Sequence, residues 1–206
     1  ATQDERDTTR GRPPLLFELT HPGLVDDGWR SRAVHKSLDL CLGCKGCKKE
    51  CPVGVDMGTY KAEFLHHHYR RRIRPRAFYS MGFIGPLADL ASIAPRLANF
   101  AASAPGLSAF SKWAAGIDTR RDLPGFAPRT FQRWFRKRNG REAAPLGDAV
   151  LLPDAFNDHF FPGALRAATE ALEALGYRVV LPPGRFPALR PLIHYGFLGI
   201  ARRGLG

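Results

Sequence analysis

Apolar residues recur at helical spacing in short bursts through the first half of the chain, and give way to short continuous apolar runs near its end. Val34, Leu38 and Cys41 fall on one face of a helix that Ser31 can cap. Met57, Tyr60 and Phe64 repeat the spacing in a helix predicted from Met57 to Arg72. Asp56 suits its N-cap, and Arg70, Arg71 and Arg72 complement the negative end of its dipole. From Arg76 to Ile117 the chain is rich in Ala, Leu, Ile and Phe, and Pro86, Pro95 and Pro105 each suit the first turn of a new helix. Several short helices in succession are expected there.

Periodicity fades from Asp118 to Gly147 while Pro, Gly and Arg accumulate, which predicts a linker. Beyond it, Ala149 to Leu152 reads as a buried strand, Gly163 to Leu175 as an amphipathic helix closed by Gly176, and Tyr177 to Leu181 as a second strand. This is the start of a βαβ unit, with the usual right-handed crossover expected. Two strands and a helix around Tyr195 to Arg203 are too little to cover both faces of a parallel sheet. The expected fold is mainly α. An N-terminal extension (1–29) precedes a helical domain (30–117), a basic linker (118–147) and an incomplete α/β domain (148–206).

Composition narrows the setting. The chain has 206 residues, 44% of them hydrophobic, which is compatible with a buried core. No apolar run approaches the ~20 residues that span a bilayer, and the N-terminal residues are too charged for a signal peptide, so a soluble, cytoplasmic protein is expected. The absence of an initial Met and the open end at Arg202 to Gly206 suggest a piece of something longer. Thirty-one Lys and Arg against nineteen Asp and Glu give a net charge of +12, which attracts nucleic acid, anionic lipid or an acidic protein surface. The densest basic run, Arg129 to Arg141, interleaves Phe131, Trp134 and Phe135 with cations, as RNA- or lipid-binding segments can. The plainer reading is a solvated tether whose aromatics tuck onto a neighbouring surface.

The strongest chemical signal is the set of four cysteines, Cys41, Cys44, Cys47 and Cys51, followed by Pro52. Thiols so close in sequence are poorly placed to pair with one another, and a zinc site usually needs two cysteine knuckles a dozen or more residues apart. The run C-x2-C-x2-C-x3-C-P is instead a known iron–sulfur spacing. Its short spacers wrap a tight loop around a cubane, and Gly43 and Gly46 permit close backbone approach and positive φ. Backbone N–H groups can point at the sulfurs and offset their charge. The residues therefore predict a [4Fe–4S] cluster with these four cysteines as metal ligands. In two-cluster ferredoxins the last cysteine of such a run serves the other cluster. Cys51 therefore completes this cluster, yields to an outside ligand, or serves a second cluster completed by another chain. The single-cluster reading is preferred.

Lys45, Lys48 and Lys49 lie in or beside the loop, and either raise the cluster's potential or merely keep the loop solvated. His66, His67 and His68 are consecutive, point about 100° apart on a helix and cannot converge on one ion.

These residues carry a resemblance. The cysteine run with Val55 to Phe64, the stretches Thr9 to Arg12, Phe126 to Phe131 and Asp154 to Asn157, and the segment Arg190 to Gly196 are similar to the iron–sulfur half of FAD-linked oxidases of the D-2-hydroxy-acid dehydrogenase type. That group is related to the iron–sulfur subunits of glycolate oxidase and anaerobic glycerol-3-phosphate dehydrogenase. The resemblance implies an α-helical ferredoxin-type domain followed by part of a cysteine-rich α/β domain. It also implies FAD on a missing domain or partner chain, and a quinone or protein as electron acceptor. The family's Cys-Cys-Gly motif is replaced here by Pro187, Ala188 and Leu189. With no flavin domain in view, no catalytic residue can be named.

The leading expectation is thus an electron-transfer module, whose basic surface docks an acidic partner or the inner face of a membrane. The alternatives are a basic nucleic-acid-binding protein with a structural metal, or a scaffold fragment without turnover of its own.

Overall fold

The computed structural model describes residues 4–8, 10–21, 27–138, 144–183 and 189–204. Among them, in chain order, are α1 (Arg12–Thr20), α2 (Arg32–Asp39), α3 (Gly46–Glu50), α4 (Met57–His68), α5 (Arg76–Gly82), α6 (Ile84–Ala91), α7 (Pro95–Ser103), α8 (Leu107–Ala115) and α9 (Phe131–Lys137). Then come β1 (Asp148–Val150), α10 (Ala155–His159), α11 (Pro162–Ala174), β2 (Arg178–Val180), α12 (Leu189–His194) and α13 (Leu198–Arg203). The fold is mainly α, with one parallel strand pair. Two compact units result, Ala1–Arg74 with Leu189–Gly206, and Pro75–Ala188. These cuts differ from the boundaries read off the sequence at 117 and 147.

The first unit is built around α4. Asp56 caps it, Oδ1 accepting from the Thr59 N–H at 3.0 Å, and Met57, Ala62, Phe64 and Leu65 are buried on it. Helix α2, capped by the Ser31 hydroxyl at 3.4 Å from the Val34 nitrogen, adds Val34 and Leu38. Each such apolar side chain contributes about 1.5–3 kcal/mol on burial. Tyr60, expected on the inner face, is 45% exposed, and Lys61 takes the buried position instead. Helix α4 also stops at His68, short of the predicted Arg72, because the chain turns through Arg71 at φ 62. The turn lets Arg74 donate to the Gly196 carbonyl at 3.0 Å and lie 4.4 Å from the Phe197 ring centroid. Helices α12 and α13 pack against α4, so the segment assigned to the α/β domain by pattern belongs to this unit. Gly196 makes the approach close: at φ +70, a Cβ there would meet the Leu65 Cβ at 2.7 Å.

In the second unit, Pro95 opens α7 and Pro86 lies in the first turn of α6, while α8 starts after Pro105 with Gly106 as N-cap. Strands β1 and β2 pair in parallel with Ala149 opposite Val179, and α11 lies between them in sequence. The predicted linker contains a helix. Thr130 caps α9 through the Arg133 N–H, Phe131 is fully buried, and Arg138 forms an ion pair of 2.6 Å with Glu173 on α11. Periodicity was too brief to show α9, since a seven-residue helix has room for only one apolar set at i, i+3 and i+4. Buried polar groups hold its start: Asp158 accepts from the Gln132 N–H at 2.8 Å, and Arg133 donates to the Ser92 carbonyl at 3.2 Å. The Ser92 hydroxyl lies 2.8 Å from Nδ1 of His159. These contacts tie α6, α9 and α10 together.

Candidate metal centre

The cysteines lie where α2, α3 and α4 succeed one another. Cys41 follows α2, its N–H donating to the Leu38 carbonyl at 3.0 Å, and it is buried beside Val34 and Leu38 in the sequence pattern that predicted it. Cys44 is exposed in the loop between α2 and α3. Cys47 lies in α3, and Cys51 ends that helix, donating from its backbone to the Cys47 carbonyl at 2.9 Å. Gly43 adopts the expected positive φ of 63°, but Gly46 begins a helix, and the second left-handed residue is Lys45, also at 63°. A side chain is unfavourable there, and the hydrogen bonds from Lys45 Nζ to Asp56 and Thr59 hold it.

Backbone donors converge on two of the sulfurs. The Met57 N–H donates to Cys47 Sγ at 3.4 Å. The Cys51 thiol is held below its usual pKa by the N–H of Val55 first and then that of Val53; burial opposes them, and the N–H of Gly54 adds a lesser downward pull. N–H groups aimed at sulfur favour the thiolate, the form that ligates a metal. Four thiols on one short stretch, with such donors, fit the chemistry of an iron–sulfur cluster. The fit rests on donor chemistry, since among the described residues no three His, Cys, Asp or Glu side chains are gathered closely enough to hold a metal ion.

The charged residues divide into two sets. Lys45 Nζ lies 2.6 Å from Asp56 Oδ2, and Lys48 Nζ 3.8 Å from the same oxygen. Burial alone would raise the Asp56 pKa, but the hydrogen bond from Lys45, those from the Thr59 N–H and hydroxyl, and the charge of Lys45 bring it down to about 2. Two of the loop lysines thus have a carboxylate partner. Lys61 is different. It is buried on α4, where Nζ donates to the Cys41 carbonyl at 2.6 Å and to that of Asp39 at 3.4 Å. Desolvation lowers its pKa, with Cys41 and Asp39 opposing. Arg12, also buried, donates through Nε to the Ser37 carbonyl at 3.0 Å. The sequence reading passed over both, although Lys61 stands in the stripe Met57, Lys61, Phe64, His68, where a cation is out of place. Helix α12 also reaches the loop, placing His194 Nδ1 2.8 Å from where a Cβ of Gly43 would be. Burial lowers the pKa of His194, with Lys61 and Arg190 adding to the effect.

Two of the three consecutive histidines have structural partners. His68 is buried, with Nδ1 2.9 Å from the Trp29 carbonyl, and His67 Nε2 lies 3.1 Å from Glu63 Oε1. In the other basic region, Phe131 is buried and Arg138 lies 4.2 Å from the Phe135 ring centroid, while residues 139–141 of that run lie outside the described residues. Thr9, Pro187 and Ala188, which bear on the resemblance, also lie outside them; Leu189 opens α12. No described helix is long and apolar enough to cross a membrane.

No family model matches the chain, and neither does any solved structure. Among curated proteins it is similar to a D-2-hydroxyglutarate dehydrogenase of Pseudomonas putida, 29% identical over 184 residues, which cover 82% of this chain and 18% of that protein. Proteins of the same name from Pantoea ananatis and Escherichia coli are 24% and 23% identical over 164 and 166 residues, each match covering 74% of this chain and 16% of the relative. The chain therefore spans less than a fifth of the length of these relatives, and its likeness is to one portion of D-2-hydroxyglutarate dehydrogenases.

Proposed function

We propose that this chain is the iron–sulfur electron-transfer portion of a FAD-linked 2-hydroxy-acid oxidoreductase, with Cys41, Cys44, Cys47 and Cys51 as ligands of one [4Fe–4S] cluster. The observation that carries this reading is the cysteine run, with backbone N–H groups aimed at the sulfurs of Cys47 and Cys51. The similarity to D-2-hydroxyglutarate dehydrogenases supports the class of chemistry. Bound there, such a cluster supplies one-electron transfer without making or breaking substrate bonds. The chain's own residues would hold it. Cys41 anchors the loop to the α2 core, the N–H groups of Met57 and Val53 to Val55 offset thiolate charge, and Asp56 fixes Lys45 so that the left-handed turn before α3 persists. Electrons would come from a flavin on another domain or chain and leave to a quinone or protein acceptor. The basic surface suits an acidic partner or the headgroup region of a membrane.

Anaerobic purification with iron and sulfide analysis, followed by EPR before and after dithionite, tests the reading. About four irons per chain and a signal that appears on reduction are expected. Zinc without sulfide, or iron-free protein after reconstitution, overturns it.

A further inference from the structure

We infer that Lys61, seconded by Arg12, is the buried countercharge of the cysteine loop and the main protein determinant of the reduction potential of the cluster bound there. This rests on the iron–sulfur reading above. The two cations lie against the carbonyls of Ser37, Asp39 and Cys41, at the C-terminal end of α2, where the helix dipole is negative. Both side chains belong to residues less than 10% exposed, Lys61 at 6% and Arg12 at 8%. One of the three carbonyls is that of the first cysteine, so the Lys61 ammonium is hydrogen-bonded to the backbone of the residue that carries that thiol.

Gain of one electron adds one negative charge to a cluster already surrounded by thiolates. A fixed cation favours that state in inverse proportion to distance and local dielectric. The loop lysines are in poor positions to do so. Lys45 and Lys48 have side chains 50% and 64% exposed and share the Asp56 carboxylate, so water, salt and that carboxylate screen them. Asp39, the acidic group that faces Lys61, is exposed, and the other neighbouring charges, Arg12 and a protonated His194, have the same sign as Lys61. The electron comes from the flavin of the proposed enzyme, or from dithionite in the test.

Redox titration of the anaerobically purified chain, followed by EPR, tests this. Lys61→Met is expected to hold the same iron and sulfide as the parent and to be about tenfold harder to reduce, ~59 mV lower for a one-electron couple. The shift should persist at about 1 M salt, where exposed charges are screened within ~3 Å. Lys61→Arg should keep the parent potential, and Lys45→Gln should shift it less and lose that shift in the same salt. A fully loaded Lys61→Met protein at the parent potential, or a shift abolished by salt, overturns the inference and leaves the iron–sulfur reading intact. Should Lys61→Met take up no iron, Arg12→Gln decides: a smaller downward shift supports the inference, and none overturns it. A parent protein without iron and sulfide brings down both.

Discussion

Two stretches of this chain set cations among reactive or aromatic side chains, Cys41 to Asp56 and Arg129 to Arg138, and the structure uses them differently. In the second, Phe131 goes into the core, Arg138 pairs with Glu173, and Arg133 binds the Ser92 carbonyl, so a run that resembles a binding surface is partly taken up by packing, while Arg129, Arg136 and Lys137 stay exposed. In the first, Lys45 and Lys48 are tied to Asp56, but the sulfurs of Cys47 and Cys51 are left facing backbone N–H groups. The lesson is that density of a residue type does not mark a site. What marks it is chemistry that remains uncommitted once internal partners are satisfied.

The sharpest way to break this comparison is at the sulfurs. Cys47→Ser should cut iron from about four per chain to a minor fraction and abolish the EPR signal, while circular dichroism keeps most of the helical content. Retention of the full cluster would place the ligands elsewhere. The same replacement at Cys51 asks whether the fourth ligand lies within the run, and an unchanged iron count and spectrum would assign it to another group.

Next in size is the core of the other stretch. Phe131→Ala should destabilise the protein by about 3–5 kcal/mol in urea unfolding, because it empties a fully buried site. Iron content per folded chain should not change. A cost near zero would mean that α9 is the solvated tether first expected from composition.

The smallest expected effect is at the cap. Asp56→Asn should cost about 1–2 kcal/mol at neutral pH through the weakened cap and the lost Lys45 pair. The sign of its pH dependence follows from a carboxyl whose folded pKa is about 2 against an ordinary 3.8. Its contribution is full above the ordinary value and fades as pH falls through about 2. Unfolding measured in urea across that range should show parent and variant converging in acid. A gap that stays constant with pH would assign the loss to geometry rather than charge.

Much of the candidate site was legible because its signals are local. The cysteine spacing, Ser31 and Asp56 as caps, and the apolar pair Val34 and Leu38 are all decided within a turn or two of helix. The short helix α9 was hidden because its one apolar face is completed by partners far along the chain, at Asp158 and Glu173. Helix α4 was assigned the wrong inner residue for a related reason. Tyr60 and Lys61 are adjacent in sequence, and only the carbonyls of Asp39 and Cys41, supplied by the preceding helix end, make the lysine the better one to bury.

By itself the sequence determined the mainly helical fold, the parallel strand pair and the concentration of thiols near residue 45, since periodicity, capping and motif spacing act over a few residues. Tertiary structure decided that α12 and α13 join α4, through the close approach at Gly196, and that a buried lysine backs Cys41. Both outcomes depend on groups distant in sequence meeting where water is excluded, and no local pattern encodes which partner will be there to satisfy a buried charge.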